Sequence, residues 1–260
     1  MSRVVLVTGA GGGIGRALCK RFLDAGDTVL ALDRDEAHVQ SLRADFGGGL
    51  EARIETLVAD VSDAAAVGAA VSAGVAARGP VDVVVANAGG ALGTTLAQTD
   101  AAAWRRDIDL NLNGTYYTVE AVRQSMIDRR RGAIVLIGSV NGLAALGHPA
   151  YSAAKAGLVG YTKALAIELG QYGIRANLVC PGTVKTPAWQ ARVERNPGIF
   201  EELKKWYPLG DVAAPEDIAD AVHFLASPQA RVITGIALPV DAGLMAGNRM
   251  MANELTLDPL

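Results

Sequence analysis

The sequence predicts an α/β protein: one domain over residues 1–260, built on a doubly wound sheet of seven parallel strands. Short runs of β-branched and aliphatic residues alternate with segments of helix length along most of the chain. Most of these runs are continuously apolar, which is typical of strands covered by helices on both faces. A length of 260 residues is normal for a single unit of this class.

The strand signals occur in order along the chain. The first run, 4–7, leads into a glycine cluster and then into 16–25, which has helical apolar spacing. The other six runs are 28–32, 53–59, 81–85, 133–137, 174–180 and 236–240. A segment of helix length separates successive runs except near the end, so we expect parallel pairing.

Composition narrows the classes of function. Half of the residues are apolar, a fifth are charged and the formal net charge is −3, which indicates neither a nucleic-acid-binding surface nor disorder. Cys19 and Cys180 are too few and too far apart for a metal cluster or a disulfide framework, so we expect two buried thiols in a reducing compartment. The start of the chain has no signal-peptide pattern and the longest uncharged run, 83–99, is too polar to span a membrane. We therefore expect a cytoplasmic protein.

The glycine cluster after the first strand predicts an anion site. Gly9, Gly13 and Gly15 are spaced as G-x-x-x-G-x-G, with Ile14 between the last two, and do not match the G-x-G-x-x-G fingerprint. Glycines at the start of a helix let backbone N–H groups approach a pyrophosphate without obstruction by a Cβ atom. A plain strand-to-helix turn is the alternative.

Asp33 follows the second strand, eighteen residues after Gly15. A dinucleotide fold places a carboxylate here, against the adenosine ribose. Because its negative charge would repel the 2′-phosphate of NADP unless Arg34 compensated for it, the cofactor we expect is NAD. An ordinary surface aspartate is the alternative.

Polar or small residues also follow the next three strands. Asp60 and Val61 follow the third, Asn87 and Gly89 the fourth, and Ser139 the fifth. Ligands of open α/β sheets bind beyond the carboxyl ends of the strands, so these residues are expected to meet in one crevice. Taken singly, Asp60 is more typical of a helix cap and Asn87 of a turn than either is of a ligand contact.

Tyr151 and Lys155 are four residues apart in a helical segment and project from one face. An ammonium beside a phenol favours the phenolate and lowers the phenol pKa from about 10, which predicts a proton-transfer pair. Ser139 is expected to hydrogen-bond a substrate oxygen. Asn111 lies inside a helical pattern, where an asparagine costs some helix stability and can kink the helix. The alternative for the pair is a half-buried tyrosine and a surface lysine.

Together these motifs resemble the short-chain dehydrogenase/reductase family from Thr8 to about Gly243. The motifs that carry the resemblance are Thr8-Gly9 with Gly13 and Gly15, Asp60-Val61, Asn87-Ala88-Gly89, Tyr151-x-x-x-Lys155 and Pro181-Gly182. It implies a Rossmann-type sheet in the order 3-2-1-4-5-6-7 and a homotetramer. It also implies contacts from Pro181, Val184 and Thr186 to the nicotinamide end of the cofactor.

The resemblance implies hydride transfer between C4 of the nicotinamide and a carbon bearing an alcohol or carbonyl, without a metal. Tyr151 would exchange the proton, Ser139 would hold the substrate oxygen, and Lys155 would lower the Tyr151 pKa and bind the ribose. Asn111 would anchor a relay water, with Asn113 as its competitor.

The substrate expected is a small secondary alcohol, with a sugar or polyol favoured. Asn141 and His148 flank the expected crevice and could bind hydroxyl groups, although both are equally turn residues. A segment at about 183–212, which contains Trp189 and Phe200, is expected to form a substrate lid. An amphipathic helical pair is its alternative.

The last segment, at about 242–260, carries apolar residues but no strand or helix pattern of its own. We expect it to pack over the lid or across a subunit boundary. Two other functions stay open: a 3-oxoacyl thioester reductase that uses NADPH, and a dinucleotide-binding protein that has lost catalysis.

Overall fold

A parallel sheet of seven strands lies at the centre of the computed structural model, which describes residues 2–47 and 49–257. The strands are β1 (Val4–Thr8), β2 (Thr28–Asp33), β3 (Ile54–Val58), β4 (Val83–Ala86), β5 (Gly132–Ile137), β6 (Ile174–Pro181) and β7 (Ala237–Val240). Their order is β3-β2-β1-β4-β5-β6-β7, and every neighbouring pair is parallel. The predicted fold class and strand order are confirmed, with strand ends displaced by one or two residues.

Helices cover both faces of the sheet. They are α1 (Gly13–Asp24), α2 (Glu36–Asp45), α3 (Ala64–Arg78), α4 (Ala101–Ile108), α5 (Gly114–Arg129), α6 (Pro149–Leu169), α7 (Gln190–Arg195), α8 (Ile199–Leu203), α9 (Pro215–Ala226) and α10 (Arg249–Thr256). Val5 and Val7 of β1 pack in the apolar layer of α1, α2 and α9, whereas Leu6 packs in the layer of α3, α5 and α6. Because successive side chains point to opposite faces, a strand between two helical layers is apolar throughout.

Helix α4 runs into α5 through a π-helical turn, Asp109–Asn113. Asp100 begins the unit, since its side chain accepts a hydrogen bond from Ala103 N (2.7 Å). Asn111 lies in the wider turn and is completely buried. Asn111 therefore lies where the regular helix is interrupted, because the π-helical turn contains one extra residue.

The segment after β7 differs from the prediction. It was expected to have no helix of its own, but residues Arg249–Thr256 form α10, which begins where Asn248 Oδ1 accepts a hydrogen bond from Met251 N (3.1 Å). Residues 258–260 of the predicted tail lie outside the described part. Between β6 and α9, the segment predicted as a lid contains the short helices α7 and α8, which both of its interpretations allow.

Cys19 and Cys180 are both free and buried, as expected. Within residues 2–47 and 49–257, no helix is both long enough and apolar enough to cross a membrane.

Candidate active site

The glycine turn joins β1 to α1 at the carboxyl edge of the sheet. A Cβ atom on Gly15 would overlap the carbonyl oxygen of Gly9, and one on Gly9 would approach Ala88 Cα to 2.9 Å. Gly9 also has a φ of +63°, which favours glycine. No side chain in the described part of the chain caps the N-terminus of α1. Its first N–H groups therefore face the turn, as at a phosphate-binding helix end.

Asn87 and Thr8 tie the ends of β4 and β1 together. The Thr8 hydroxyl accepts hydrogen bonds from Asn87 N and Ala88 N (both 3.1 Å). The Asn87 amide in turn donates to Thr8 O (2.9 Å) and Gly9 O (3.2 Å). Asn87 thus holds a turn, as its alternative interpretation stated, while its side chain also lines the cleft above β1.

Asp33 and Asp60 lie at the ends of neighbouring strands. Asp33 Oδ2 accepts a hydrogen bond from Gly11 N (3.0 Å) and so binds directly to the glycine turn. Asp60 Oδ1 accepts from Ser62 N (2.9 Å) and Ser62 Oγ (2.7 Å), and these bonds lower the Asp60 pKa. The alternative for Asp60, a helix cap, is wrong. Asp63 caps α3 by accepting hydrogen bonds from Ala65 N (2.9 Å) and Ala66 N (3.0 Å), the second and third N–H groups of that helix.

Ser139 and Tyr151 come together from the end of β5 and the first turn of α6. Ser139 Oγ accepts a hydrogen bond from Asn141 N (3.1 Å) and lies within hydrogen-bonding reach of the Tyr151 phenol. Burial is the largest effect on Tyr151 and raises its pKa, although the Ser139 hydrogen bond lowers it. The phenol is therefore protonated at neutral pH.

Lys155 lies one turn further along α6 and is 2% exposed. Its Nζ donates to Ile137 O (2.7 Å) and lies 5.5 Å from the Tyr151 ring centroid. Burial lowers the Lys155 pKa to about 8. The prediction that Lys155 lowers the Tyr151 pKa is wrong for this arrangement, because the amine binds a backbone carbonyl and burial dominates the Tyr151 pKa.

Both the nitrogen and the oxygen of the Asn111 side-chain amide form hydrogen bonds. Nδ2 donates to Gly90 O (2.8 Å) and Asp107 O (2.9 Å), and Oδ1 accepts from Gly90 N (3.0 Å). Asn113, its competitor, donates instead to Asp109 Oδ1 (2.8 Å). Asn111 is therefore the asparagine that joins the helix to the loop after β4, beside the cleft.

The three candidate substrate residues are not equivalent. Trp189 lines the cleft and packs on Phe200, with ring centroids 5.5 Å apart. Asn141 instead donates to Gly147 O (3.2 Å), and His148 Nδ1 lies 3.0 Å from Gly93 O. Neither Asn141 nor His148 lines the cleft, so the structure places both in loops beside it.

A cleft of about 480 Å³ gathers these residues at one edge of the sheet. Every residue predicted to bind the cofactor lines it, together with Ser139 and Trp189. The cleft also contains His38 and Leu110, which the sequence analysis did not identify. Leu110 could have been predicted to lie near the cleft, because it is next to Asn111 in the sequence. His38 carries no signal in the sequence, because it approaches the glycine turn only in the folded chain. There, a Cβ atom on Gly11 would overlap the His38 side chain.

Comparison with known proteins fits this geometry. A family model described as Enoyl-(Acyl carrier protein) reductase matches residues 9–245. A crystal structure of an oxidoreductase of the short-chain dehydrogenase/reductase family from Burkholderia thailandensis is 58% identical, with a TM-score of 0.93 over 99% of this chain and 98% of that chain. The chain belongs to the short-chain dehydrogenase/reductase family.

Relatives within the short-chain dehydrogenase/reductase family carry differing names. An uncharacterized oxidoreductase of Schizosaccharomyces pombe is 44% identical over 97% of this chain and 95% of its own length. A galactitol 2-dehydrogenase (L-tagatose-forming) of Cereibacter sphaeroides is 38% identical over 91% of this chain and 92% of its own length. Similar solved structures hold NAD in one case and NADP in another.

The residues of this short-chain dehydrogenase/reductase fit a nicotinamide dinucleotide. Gly9, Gly13 and Gly15 line the cleft without a side chain, so a ligand can approach the backbone there. The free N–H groups of α1 suit a pyrophosphate, and Asp33 suits a ribose hydroxyl. Among the described residues, no group of three or more His, Cys, Asp or Glu side chains is arranged to hold a metal ion.

Proposed function

We propose that this oxidoreductase interconverts a secondary alcohol and its carbonyl with NAD as the preferred cofactor. The observation that carries the proposal is the meeting of Ser139, Tyr151 and Lys155 in the cleft that begins at the glycine turn. Bound NAD supplies a hydride acceptor at C4 of its nicotinamide. The protein supplies the proton transfer and the orientation of the substrate.

Tyr151 is the proposed acid and base. As a protonated phenol at neutral pH it is ready to donate to a carbonyl, and in oxidation it accepts the alcohol proton only after it has ionised. Ser139 donates a hydrogen bond to the substrate oxygen. Lys155 presents an amine that changes charge near pH 8 beside the phenol and binds the cofactor ribose.

Asn111 supports this arrangement from below the cleft. Its three hydrogen bonds fix Gly90 and the turn between α4 and α5. An amide oxygen accepts two hydrogen bonds, and Oδ1 receives one from Gly90 N, which leaves one for the relay water of the proposed proton path.

NAD preference is supported by Asp33. Its carboxylate is fixed on Gly11 N, at the edge of the cleft where the adenosine ribose belongs. The negative charge of Asp33 would repel the 2′-phosphate of NADP. Arg34 also lines the cleft, so the preference is a difference in affinity and not an exclusion.

A sugar or polyol is the substrate class we favour, and the resemblance to galactitol 2-dehydrogenase supports it. Trp189 offers an apolar wall, with the guanidinium of Arg192 4.6 Å above its ring, and the segment at about 183–212 serves as the lid. Asn141 and His148 would reach hydroxyl groups only at the outer end of a longer substrate, since neither lines the cleft.

The proposal includes a single domain that assembles as a homotetramer in the cytoplasm. Support for assembly comes from the edge of the sheet, where Val232 and Ile236 precede β7 and are 76% and 37% exposed. An edge strand beside exposed apolar side chains is typical of a subunit contact.

A substrate screen tests the function. Purified enzyme is mixed with NAD or NADP and with sugars, polyols, hydroxysteroids, hydroxy acids and 3-hydroxyacyl thioesters, while nicotinamide absorbance is followed. We expect turnover of a polyol or sugar with a higher kcat/KM for NAD. Turnover of thioesters alone with NADP would support the reductase alternative. Binding of either dinucleotide without turnover of any substrate in either direction would support the non-catalytic alternative.

A further inference from the structure

A second cavity lies at the amino-terminal edge of the sheet, on the side opposite to the candidate active site. It encloses about 720 Å³ and is bounded by the starts of β1, β4, β5 and β6 and by the end of α9. This volume is typical of a ligand site. The proposed reaction takes place beyond the carboxyl ends of the strands, so it gives this cavity no function.

Arginine is the main charged residue of the second cavity. Among the described residues, six charged side chains line it: Arg3, Arg78, Arg131, Arg175, Arg231 and Asp82. Five positive charges and one negative charge give the lining a formal charge of +4, whereas the whole chain has a formal charge of −3. We call this space the arginine cavity.

Two of the five arginines are balanced by carboxylates of their own. Arg3 Nη2 lies 2.6 Å from Asp27 Oδ2, and Arg78 Nε lies 3.1 Å from Glu55 Oε2. Both carboxylates lie outside the lining of the cavity. We therefore assign these two arginines to the stability of the fold.

The carboxylate in the lining, Asp82, is already shared between two cations. Its Oδ1 lies 2.7 Å from Arg129 Nη1 and 3.1 Å from Arg131 Nη2. Its Oδ2 accepts a hydrogen bond from Val4 N (3.2 Å). One negative charge thus faces two guanidinium groups. The Arg131 side chain is 64% exposed, so it is accessible to a ligand.

Arg175 and Arg231 have no carboxylate partner in the described part of the chain. Arg175 donates to Leu225 O (2.6 Å), Ser227 O (3.1 Å) and Ile233 O (3.3 Å), and these bonds use three of its five N–H groups. Burial lowers the Arg175 pKa, because no counter-charge compensates for the lost water. Arg231 is exposed, and its guanidinium forms neither a hydrogen bond nor an ion pair within residues 2–47 and 49–257.

Stabilisation of helix ends explains only part of this cluster. A helix C-terminus carries about half a negative charge, which a nearby cation compensates. Arg175 has this role, since it donates to Leu225 O and Ser227 O at the end of α9. The guanidinium groups of Arg131 and Arg231 donate to no carbonyl oxygen of a described residue. Helix capping therefore does not account for these two arginines.

We propose that the arginine cavity is a second ligand site, and that it binds a polyphosphate, either free or as part of a nucleotide. Planar guanidinium groups bind phosphate oxygens through paired hydrogen bonds and keep their charge across the physiological pH range. A chain of two or three phosphates carries enough negative charge for Arg131, Arg175 and Arg231 together. The inference is independent of the alcohol chemistry proposed above.

Calorimetric titration of the holoenzyme with inorganic pyrophosphate tests the inference. The enzyme is first saturated with NADH or NADPH, whichever binds more tightly, so that the glycine turn is occupied and cannot take the pyrophosphate. We expect one pyrophosphate per chain with a Kd below about 1 mM at low salt, and weaker binding at high salt. The absence of saturable binding by the folded holoenzyme overturns the inference.

Three other anions, titrated in the same way without divalent cations, identify the ligand chemistry. An equal Kd for pyrophosphate and ADP supports a free polyphosphate as the ligand. Tighter binding of ADP or ATP supports a nucleotide. Citrate carries a similar charge on carboxylates, so binding of citrate as tight as that of pyrophosphate overturns the assignment to phosphate.

Substitutions locate the bound pyrophosphate. Arg131→Gln and Arg231→Gln each remove one positive charge from the arginine cavity and should raise the Kd of pyrophosphate by about tenfold or more. Arg105→Gln is the matched control, because it removes the same charge from an exposed residue of α4 that lines neither the cleft nor the arginine cavity. It should leave the Kd unchanged. Thermal unfolding verifies that each variant is folded. Binding that neither cavity variant weakens overturns the inference, since the pyrophosphate then lies elsewhere.

Discussion

Burial sets the proton affinities of the two candidate groups on α6. It raises the Tyr151 pKa and lowers the Lys155 pKa to about 8, so each group moves toward its neutral form. At neutral pH the phenol therefore keeps its proton, as its proposed role as a proton donor requires. Transfer of that proton to a neutral amine would create two charges, which a buried site opposes.

Lys155→Met should stabilise the protein at pH 7 and abolish turnover. Unfolded lysine keeps its proton up to a pH of about 10.4, whereas folded Lys155 loses it above about 8. Between these values the unfolded state binds more protons, so the wild-type free energy of unfolding rises with pH there. Below about pH 8 Lys155 is protonated in both the folded and the unfolded state. The full cost of burying its charge then opposes folding.

The measurement is urea unfolding of both proteins at several pH values. We expect the free energy of unfolding of Lys155→Met to exceed that of wild type by about 1–2 kcal/mol at pH 7. This difference should shrink between pH 8 and 10. Lys163→Met, on the exposed side of the same helix, should show no such pH dependence. A difference in the free energy of unfolding that does not change with pH would contradict the lowered pKa of Lys155.

Asp33→Ala should weaken NAD binding and relieve the bias against NADP. The ratio of kcat/KM for NAD to that for NADP is expected to fall by about tenfold or more, because a charge near the 2′-phosphate is removed. Asp24→Ala removes the same charge from the surface, where Asp24 pairs with Lys20, and should leave the ratio unchanged. An unchanged ratio in Asp33→Ala would remove this carboxylate from the cofactor site.

Among the secondary-structure elements, the strand-turn-helix unit at the N-terminus is the most constrained. Gly15→Ala should lower the free energy of unfolding by about 2 kcal/mol or more, because its Cβ would overlap the Gly9 carbonyl oxygen and backbone must move. Gly68→Ala makes the same change inside α3, where nothing lies within 4 Å of the new Cβ. It should stabilise by about 0.5–1 kcal/mol. Equal effects of the two changes in urea unfolding would contradict the close packing of the turn.

The elements differ in how far the sequence predicts them. The strands were predictable because two helical layers require apolar residues at every position, as in β1 with Val5 and Leu6 on opposite faces. Helix α10 was missed because Met251 and Leu255 remain exposed, so its apolar residues do not mark a buried face. Its one local signal was the capping residue Asn248.

The sequence predicts those residues of the candidate site that directly follow a strand. Asp33, Asn87 and Ser139 each follow a strand, and parallel strands end at one edge, so their meeting follows from topology. Asp107, whose carbonyl oxygen binds Asn111, could not be found this way. In the sequence it follows Arg105 and Arg106 and is typical of a solvated helix face, yet the packing of α4 on α6 buries it completely.

Across the whole molecule, the sheet brings the glycine turn, Asp33 and Tyr151 into one cleft. These features come from opposite halves of the chain, so they form a site only when the sheet is complete. The orientation of Asn141 and His148 is set by the loop between β5 and α6, and no motif in the sequence determines it.

Tyr151→Phe tests the proposed chemistry most directly, and Tyr161→Phe is its matched control. Tyr161 is on the same helix, and its hydroxyl is buried without a hydrogen-bond partner among the described residues. The measurement is the rate of NAD reduction with one alcohol, beside the Kd of NAD. We expect Tyr151→Phe to be slower by about 100- to 1,000-fold with an unchanged Kd, and Tyr161→Phe to match wild type. A rate for Tyr151→Phe within a few-fold of wild type would contradict the assignment of Tyr151 as acid and base.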